Sequence, residues 1–382
     1  MLLKRWVSKT LDLAGISIGG TEPWDVRVNN DRFYRRAARG PVGLGESYMD
    51  GDWDVPSLDA FFRNVITSAA ATGSIARLNR IWLEARARFS NLQTRRRSRA
   101  VAEQHYNLDH RMYEQFLGPY NQYTCCFFDG TDSLAEAEKI KLGMICCKLE
   151  LVPGDRVLDI GCGWGGFANY AASEIGCSVT GITLSTEQAA YARKFTAGLP
   201  VEVLNCDYRD LPKTIEGRFD KILICGMIEH VGYKNYRRLM KIVSEMLRDD
   251  GLFLLHTIGN AHETRIVDPW IEKYIFRNSM IPSMRQLVHA IRELFVVHDW
   301  ENYGHYYSDT LGAWQRNFER NWANILGLAS SHPFDERFRR MWNYYLLSSK
   351  AAFDVESLLL WQIVMGKPGM RSAVYGRVNV RA

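Results

Sequence analysis

The stretch Val157-Leu158-Asp159-Ile160-Gly161-Cys162-Gly163-Trp164-Gly165-Gly166 decides the fold of this chain. It begins with a mostly apolar run, typical of a buried β-strand, and its glycines predict a tight turn before a helix over residues 167–175. Glycine lets the backbone approach a ligand closely at the carboxyl end of a strand, where open α/β sheets bind cofactors. The stretch therefore predicts a strand, a turn and a helix that together form a ligand site.

The spacing of these glycines narrows the kind of ligand. The pattern is GxGxGG, which differs from the GxGxxG of dinucleotide sites, and no Lys-Ser/Thr pair follows as in a phosphate-binding loop. Asp159 stands just before the turn, where a carboxylate attracts a cationic ligand such as a sulfonium amino acid. On the residues alone, a tight turn without a ligand and a nicotinamide or flavin site remain alternatives.

Further segments place this unit in a larger sheet. Strands are predicted at residues 156–160, 178–182, 201–205, 220–225 and 252–256, and their alternation with helical segments predicts a parallel α/β sheet with helices on both faces.

Two of these strands are followed by polar groups that are suited to binding adenosine. Thr183 and Gln188 follow the second strand, where ribose hydroxyls are usually held. Asp207 and Tyr208 follow the third, where a carboxylate accepts an adenine amino group and an aromatic ring flanks the base.

The flanking regions differ from this central pattern. Residues 1–95 predict a small helical domain, with apolar residues at helical spacing over 57–66 and 75–89 and a turn-rich stretch over 40–45. The last hundred residues predict further helices rich in aromatic side chains. The chain contains no internal repeat.

Composition limits the class of protein. No segment of the 382 residues approaches the roughly 18 apolar residues of a transmembrane helix, and the first residues are unlike a signal peptide. We therefore expect a cytoplasmic protein. Its eight cysteines fit neither a disulfide framework nor a zinc site, so reduced thiols and no bound metal are predicted.

Positive charge is concentrated near the N-terminus. Residues 1–99 hold 17 Lys/Arg and 10 Asp/Glu, although the whole chain carries only +5. The run Arg95 to Arg99 could meet lipid headgroups or nucleic-acid phosphates, or form a solvated linker. Because the basic excess is local and no base-flipping motif follows the fourth strand, nucleic acid is not an expected partner.

Four more segments reveal a family resemblance: GLGESYMDG at 43–51, QYTCC at 122–126, IEHVG at 228–232 and LLHTIG at 254–259. With the glycine loop, these motifs fall in the order of the cyclopropane-fatty-acyl-phospholipid synthases, which the sequence resembles over nearly its whole length. The resemblance implies a class I methyltransferase fold (Rossmann-like) that binds S-adenosylmethionine. It also implies a lipid-docking helical domain over residues 1–95 and a catalytic domain with helical lipid-channel insertions over 96–382.

The resemblance also implies site residues. Family contacts to S-adenosylmethionine match Tyr123, Thr124, Gly161, Gly163, Thr183, Gln188, Asp207 and Tyr208. Family catalytic positions match Cys125, Glu229, His256 and Tyr307, which with the backbone of Ile258 hold a bicarbonate ion beside the substrate double bond. Without the resemblance, the Glu229-His230 pair reads as a helix start, His256 as a core histidine and Cys125 as a packing residue.

The implied reaction is methylene transfer from S-adenosylmethionine to the cis double bond of an unsaturated phospholipid. Such an enzyme would touch the inner face of the cell membrane transiently. The alternatives are an acyl-chain methyltransferase that does not close a ring, a small-molecule N-methyltransferase, and a non-catalytic lipid-surface protein. The oligomeric state stays open, with a homodimer as one alternative.

Overall fold

The computed structural model describes residues 2–72, 93, 109–262, 267–330 and 334–370. The predicted helix over 75–89 and the Arg95 to Arg99 run lie outside these residues. Residues 2–72 form a helical unit with a two-residue antiparallel strand pair, Arg27–Val28 (β1) and Trp53–Asp54 (β2). Its helices are α1 (Leu2–Asp12), α2 (Arg32–Ala37), α3 (Pro41–Met49) and α4 (Leu58–Thr72).

Helix α3 corrects the prediction of a turn-rich stretch over residues 40–45. Pro41 occupies the first turn of this helix, where its missing N–H costs no hydrogen bond. Gly43 and Gly45 serve helix packing: a Cβ atom would lie 2.0 Å from the Arg36 carbonyl oxygen at Gly43, and 2.3 Å from the Trp270 ring at Gly45. Close approach of neighbouring elements therefore explains glycines that the sequence pattern assigned to turns.

The central sheet has seven strands in the order β5-β4-β3-β6-β7-β9-β8. The first five are parallel, and β9 runs antiparallel to both of its neighbours. The strands are β3 (Arg156–Ile160), β4 (Ser178–Thr183), β5 (Val201–Asn205), β6 (Phe219–Cys225), β7 (Leu247–Asn260), β8 (Val296–Asn302) and β9 (Leu358–Gly366).

All five predicted strands are present, and the predicted class I methyltransferase architecture is confirmed. The last hundred residues contain the predicted helices, but they also contain the strands β8 and β9, which were not predicted. The segment Leu358–Gly366 is an almost unbroken apolar run, which fits a buried helix as well as a central strand. Pairing along β7 and β8 on its two sides settles the choice, and the sequence pattern does not contain that information.

Helices cover both faces of the sheet. The helices after α4 are α5 (His110–Glu114), α6 (Leu134–Lys148), α7 (Gly166–Tyr170, continued by a π-turn over Ala171–Ile175), α8 (Thr186–Phe195), α9 (Leu211–Thr214), α10 (Tyr233–Met246), α11 (Pro269–Tyr274), α12 (Met284–Ile291), α13 (Gly304–Arg320), α14 (Trp322–Leu326) and α15 (Glu336–Asp354). On one face, α10 and α12 pack against the strands through residues such as Tyr236, Leu239 and Leu287, while α6 and α7 cover the other through Leu142, Ile145 and Phe167.

The N-terminal unit packs tightly against the C-terminal helices. One continuous apolar core joins Trp53 and Phe61 of the unit to Trp270 and Trp342 beyond the sheet. The rings of Trp270 and Tyr344 are 4.3 Å apart, centroid to centroid. The N-terminal unit thus adds a wall to the catalytic region, while a domain boundary after residue 95 stays a prediction. Within the described residues, no helix is both long and apolar enough to span a membrane.

Candidate active site

The glycine loop follows β3 and has the backbone conformation that its sequence predicts. Gly161, Gly163 and Gly165 have φ values of 92°, 55° and 85°, a region that residues with a side chain rarely adopt. A Cβ atom at Gly161 would lie 2.7 Å from Met227, whereas one at Gly163 would meet nothing within 4 Å. Gly161 therefore serves packing, and Gly163 leaves open space at the carboxyl end of the sheet.

Asp159 lies one residue before the end of β3 and is only 2% exposed. Burial raises the pKa of this carboxyl to about 7, although the charge of Lys141 acts in the opposite direction. A cationic ligand placed nearby would favour the ionised carboxylate. This environment fits the positively charged sulfonium and ammonium groups of S-adenosylmethionine.

The polar residues predicted to bind adenosine lie at the ends of β4 and β5. The Thr183 hydroxyl donates to the Gln188 side-chain oxygen at 2.8 Å, and both residues are buried. Asp207 accepts hydrogen bonds from the backbone N–H and the guanidinium of Arg209. The Tyr208 hydroxyl is buried without a partner. The structure thus brings the predicted cofactor residues to one edge of the sheet, beside the glycine loop.

Two buried charges on α6 fix the segment that carries Tyr123 and Thr124. Glu138 accepts the backbone N–H groups of Tyr120 (2.8 Å) and Gln122 (2.7 Å). Lys141 is fully buried, and its ammonium donates to Gln122 Oε1 at 2.5 Å and Thr124 Oγ1 at 2.8 Å. Neither residue was predicted from the sequence. A signal was available, because two charges three residues apart interrupt an otherwise apolar helix face.

Glu229 is held in the site by one of its two carboxylate oxygens. Oε1 accepts the backbone N–H of Ile258 at 2.8 Å and the Thr257 hydroxyl at 3.0 Å, while Oε2 is buried without a partner. Burial raises the pKa of Glu229, and these hydrogen bonds oppose that rise. The resemblance assigns both Glu229 and the Ile258 backbone to bicarbonate, whereas in this structure the Ile258 N–H donates to Glu229 itself.

His256 lies on β7, two residues before Ile258. Its Nδ1 is 3.2 Å from the side-chain amide nitrogen of Gln362, which lies opposite on β9. With the amide in this orientation, Nδ1 is the acceptor, and a neutral ring then carries its proton on Nε2. Nε2 is buried without a partner, as is Gln362 Oε1. Burial lowers the pKa of His256 well below its usual value, so the ring is neutral. Gln362, like Glu138 and Lys141, was not predicted, because its separation from His256 along the chain left no local signal.

Tyr307 lies on α13, near Cys125 and Glu229. It is buried with its ring 4.6 Å from that of Phe353, and burial together with the nearby Cys125 and Glu229 raises the pKa of its hydroxyl. One turn further on, the Thr310 hydroxyl accepts the backbone N–H of Cys126 at 3.0 Å, which ties α13 to the segment after Thr124. Tyr307, Cys125 and Glu229 thus share one buried region.

Burial favours the neutral thiol at several of the cysteines. Burial raises the pKa of Cys125 well above its usual value, which argues against a nucleophilic thiolate. The pKa values of Cys177 and Cys206 are each raised to about 11 for the same reason. Cys147, on the last turn of α6, is the exposed cysteine among the eight. In the described part of the chain, no group of three or more His, Cys, Asp or Glu side chains could hold a metal ion.

A seven-stranded sheet of this order, with a glycine loop after β3 and polar groups at the ends of β4 and β5, defines a class I S-adenosylmethionine-dependent methyltransferase. The family model described as mycolic acid cyclopropane synthetase matches residues 93–363. The chain therefore belongs to this cyclopropane synthase family.

Individual relatives agree with this assignment. The chain is 43% identical over 364 residues to the cyclopropane-fatty-acyl-phospholipid synthase of Escherichia coli strain K12, covering 95% of this chain and 93% of that protein. It is 33% identical over 288 residues to a probable fatty acid methyltransferase of Mycobacterium tuberculosis, covering 72% of this chain and 64% of that protein.

A solved structure of a family member has the same fold. The crystal structure of the mycolic acid cyclopropane synthase CmaA1, complexed with SAH and CTAB, matches with a TM-score of 0.63 and 27% identity. The match covers 70% of this chain and 98% of that chain.

Proposed function

We propose that the protein is a cyclopropane-fatty-acyl-phospholipid synthase, which transfers a methylene group from S-adenosylmethionine to the cis double bond of an unsaturated phospholipid acyl chain. The observation that carries this proposal is the match to the Escherichia coli synthase of that name, because it spans the N-terminal unit as well as the catalytic region. The buried, largely aromatic surroundings of Tyr307 and Tyr123 suit an apolar substrate.

The reaction depends on positioning in a dry site. The π electrons of an alkene are weakly nucleophilic. The methyl carbon of S-adenosylmethionine must therefore lie about 3 to 3.5 Å from the double bond, with the departing sulfur on the opposite side of that carbon and in line with the attack. Attack forms a carbon–carbon bond, breaks the carbon–sulfur bond and leaves a carbocation on the substrate. The aromatic rings of Tyr307 and Tyr123 and the negative charge of Glu229 would stabilise this cation. Loss of a proton from the added methyl group then lets its C–H electrons close the ring.

Bicarbonate fits the polar atoms that the protein leaves unpartnered around this region. Glu229 Oε2 is an acceptor for a hydroxyl, and His256 Nε2 is a donor to a negative oxygen. We propose that these atoms hold the ion together with the Tyr307 hydroxyl and the backbone at Cys125. The Ile258 N–H would act indirectly, because it already donates to Glu229 Oε1. When bound, bicarbonate would supply the base for the proton that ring closure releases.

The protein's own residues would orient this site. Ile258 N–H and the Thr257 hydroxyl keep Glu229 in one rotamer, and Gln362 keeps the proton of His256 on Nε2. Thr183, Gln188, Asp207 and Tyr208 would hold the adenosine part of the cofactor, with Asp159 near its charged end. Tyr123 and Thr124 would contact the cofactor from the segment that Lys141 and Glu138 anchor.

A second candidate is an acyl-chain methyltransferase that does not close the ring. The match to the probable fatty acid methyltransferase of Mycobacterium tuberculosis favours this reading, although its identity and coverage are lower. Both reactions add the same mass to the acyl chain. They differ in the product, because only ring closure removes the double bond without leaving a methyl branch or an alkene.

The test is product analysis. A host without cyclopropane lipids should express the chain, and its fatty acid methyl esters should be separated by gas chromatography with mass spectrometry. The proposal expects cyclopropane acids formed at the expense of unsaturated acids, and deuterated methionine should label the ring carbon. Branched or methylene-bearing acids would instead establish the second candidate. The same host expressing the Glu229→Gln variant serves as the matched control.

Membrane contact and assembly form the last part of this proposal. The substrate lies in a bilayer, so we propose a cytoplasmic protein that associates peripherally with the inner face of the cell membrane. A role for the Arg95 to Arg99 run in this contact stays a prediction, as does a homodimer.

A further inference from the structure

Helix α1 carries an exposed apolar face in the part of the chain that the structure describes. Leu2, Trp6 and Leu13 are 85%, 47% and 59% exposed. Because a helix turns by about 100° per residue, positions 2, 6 and 13 project from the same side, and Leu3, 42% exposed, lies at its margin. Four large apolar side chains within one short helix and the residue after it form a patch, which differs from single apolar residues scattered over a surface.

The opposite side of α1 anchors it to the N-terminal unit. Val7 and Leu11 are buried in the shared apolar core. Lys4 forms an ion pair with Asp31 at 2.7 Å, and the Ser68 hydroxyl of α4 donates to the Leu13 carbonyl oxygen at 3.1 Å. These contacts hold α1 in place, so the exposed patch lies on a helix that is packed against the rest of the N-terminal unit.

Basic residues adjoin this patch. Lys9 falls between Trp6 and Leu13 on the same side, and Arg5 lies beside it; both are exposed. Together with Lys4 and against Asp12, they give the helix a net charge of +2. Apolar side chains that include a tryptophan, bordered by cations, are typical of helices that lie in the plane of a membrane interface. The partner that matches both features is an anionic phospholipid surface.

We propose that Leu2, Leu3, Trp6 and Leu13 form an interfacial anchor that docks the protein on an anionic phospholipid bilayer. The apolar side chains enter the boundary between headgroups and acyl chains, and Arg5 and Lys9 contact phosphates. This inference rests on the proposed function, since the bilayer that holds the substrate is the surface to which the anchor binds.

The test compares two double variants. Trp6→Ser with Leu13→Ser removes the centre of the patch, and Arg5→Gln with Lys9→Gln removes its charge. Leu326→Ser is the matched control, because Leu326 is 56% exposed and lies on α14 outside the patch. Each protein should be sedimented with vesicles of phosphatidylcholine, with and without phosphatidylglycerol, and its thermal unfolding should confirm that the fold is intact.

The expected results differ between the variants. The apolar variant should bind anionic vesicles about tenfold or more weakly at low and high salt, whereas the charge variant should lose affinity mainly at low salt. Leu326→Ser should bind as the unmodified protein does. Equal vesicle binding by all the proteins would overturn the proposal. The proposal would also be overturned if, without lipid, the unmodified protein sedimented as a dimer and the apolar variant as a monomer. A second copy of the chain would then cover the patch.

A parallel assay separates this inference from the proposed function. With phospholipid dispersed in detergent micelles, the anchor variants should cyclopropanate lipid as fast as the unmodified protein. If the unmodified protein makes no cyclopropane product there, the proposed function fails, whereas vesicle binding still decides the anchor.

Discussion

The two carboxylate oxygens of Glu229 differ in their hydrogen bonding. One oxygen accepts hydrogen bonds from Thr257 and the Ile258 N–H, and the other is buried without a partner. Replacement by glutamine keeps the shape but puts an amide N–H₂ where an acceptor stood. We expect Glu229→Gln to slow turnover by roughly a hundredfold or more while S-adenosylmethionine affinity changes little.

Rapid-quench rates and calorimetry provide the two readouts for Glu229. Equal losses in both would assign the residue to the cofactor site instead. Removal of bicarbonate from the buffer should slow the unmodified enzyme, and turnover that is insensitive to its removal would contradict a role for the ion.

Asp159 predicts a pH-dependent stability of the cofactor-free protein. Its pKa rises from the ordinary value near 4 to about 7 on folding, so between these pH values the folded state binds a proton that the unfolded state has lost. Stability contributed through this group is therefore lost as pH rises across that window, by up to roughly 4 kcal/mol. We expect Asp159→Asn to be more stable than the unmodified protein at pH 7.5 and similar at pH 4, measured by urea unfolding. Identical pH profiles would show that Asp159 does not titrate in this window.

Lys141 is a buried cation whose hydrogen-bond partners are neutral side chains. Replacement by methionine keeps most of its volume and removes a charge that is costly to bury, so stability should change by less than about 2 kcal/mol. The anchored segment loses two hydrogen bonds, so the dissociation constant for S-adenosylmethionine should rise about tenfold. Lys139→Met, at an exposed position on the same helix, is the control. Equal affinity in both variants would contradict a positioning role for Lys141.

At the scale of single residues, chemistry alone could predict only part of the site. The positions of Asp159, Thr183 and Asp207 follow from strand ends in a parallel sheet. Glu229 and His256 required family resemblance, because either could be an ordinary structural residue. Gln362 could not be predicted from the sequence, because its contact with His256 depends on a strand that joins the sheet more than a hundred residues later.

At the scale of elements, the glycine loop offers a test with a matched control. Gly163 and Gly19 both have positive φ values, 55° and 76°, and a Cβ atom at either would meet nothing within 4 Å. Alanine should therefore cost each site a similar backbone strain of about 1 kcal/mol. Only Gly163→Ala should weaken S-adenosylmethionine binding, by about tenfold, as measured by calorimetry. If Gly19→Ala weakens binding equally, the effect is general destabilisation.

Helices and strands could be predicted where the local sequence pattern fits only one conformation. The strands β3 to β6 are short apolar segments that alternate with helices, so their bounds agree closely with prediction. Helix α3 and strand β9 were not predictable, because glycine and apolar runs each fit two conformations. Contacts with Trp270 and with β7 select between them.

At the scale of the whole molecule, Arg340 joins the N-terminal unit to the C-terminal helices. Its guanidinium donates to the Tyr48 carbonyl oxygen at 2.5 Å and the Trp53 carbonyl oxygen at 2.9 Å, and pairs with Asp54 at 2.8 Å. The side chain is 19% exposed, so its removal leaves buried acceptors without donors. We expect Arg340→Met to cost about 2 to 4 kcal/mol of unfolding free energy.

Urea unfolding followed by circular dichroism measures this loss. Arg316→Met, an exposed arginine on α13, should change stability by less than about 0.5 kcal/mol. A loss confined to an early transition would show that the N-terminal unit unfolds independently, which would support the predicted boundary after residue 95.

The distribution of thiols has a practical consequence for fluorescence work. Cys147 is exposed, whereas the other cysteines are buried or partly buried, and those near the site are protonated at neutral pH. A maleimide dye should therefore attach at Cys147 on the native chain, without the cysteine-free background that such labelling usually requires. Energy transfer from that dye to an acceptor lipid would then follow the protein's arrival at and departure from a vesicle in real time.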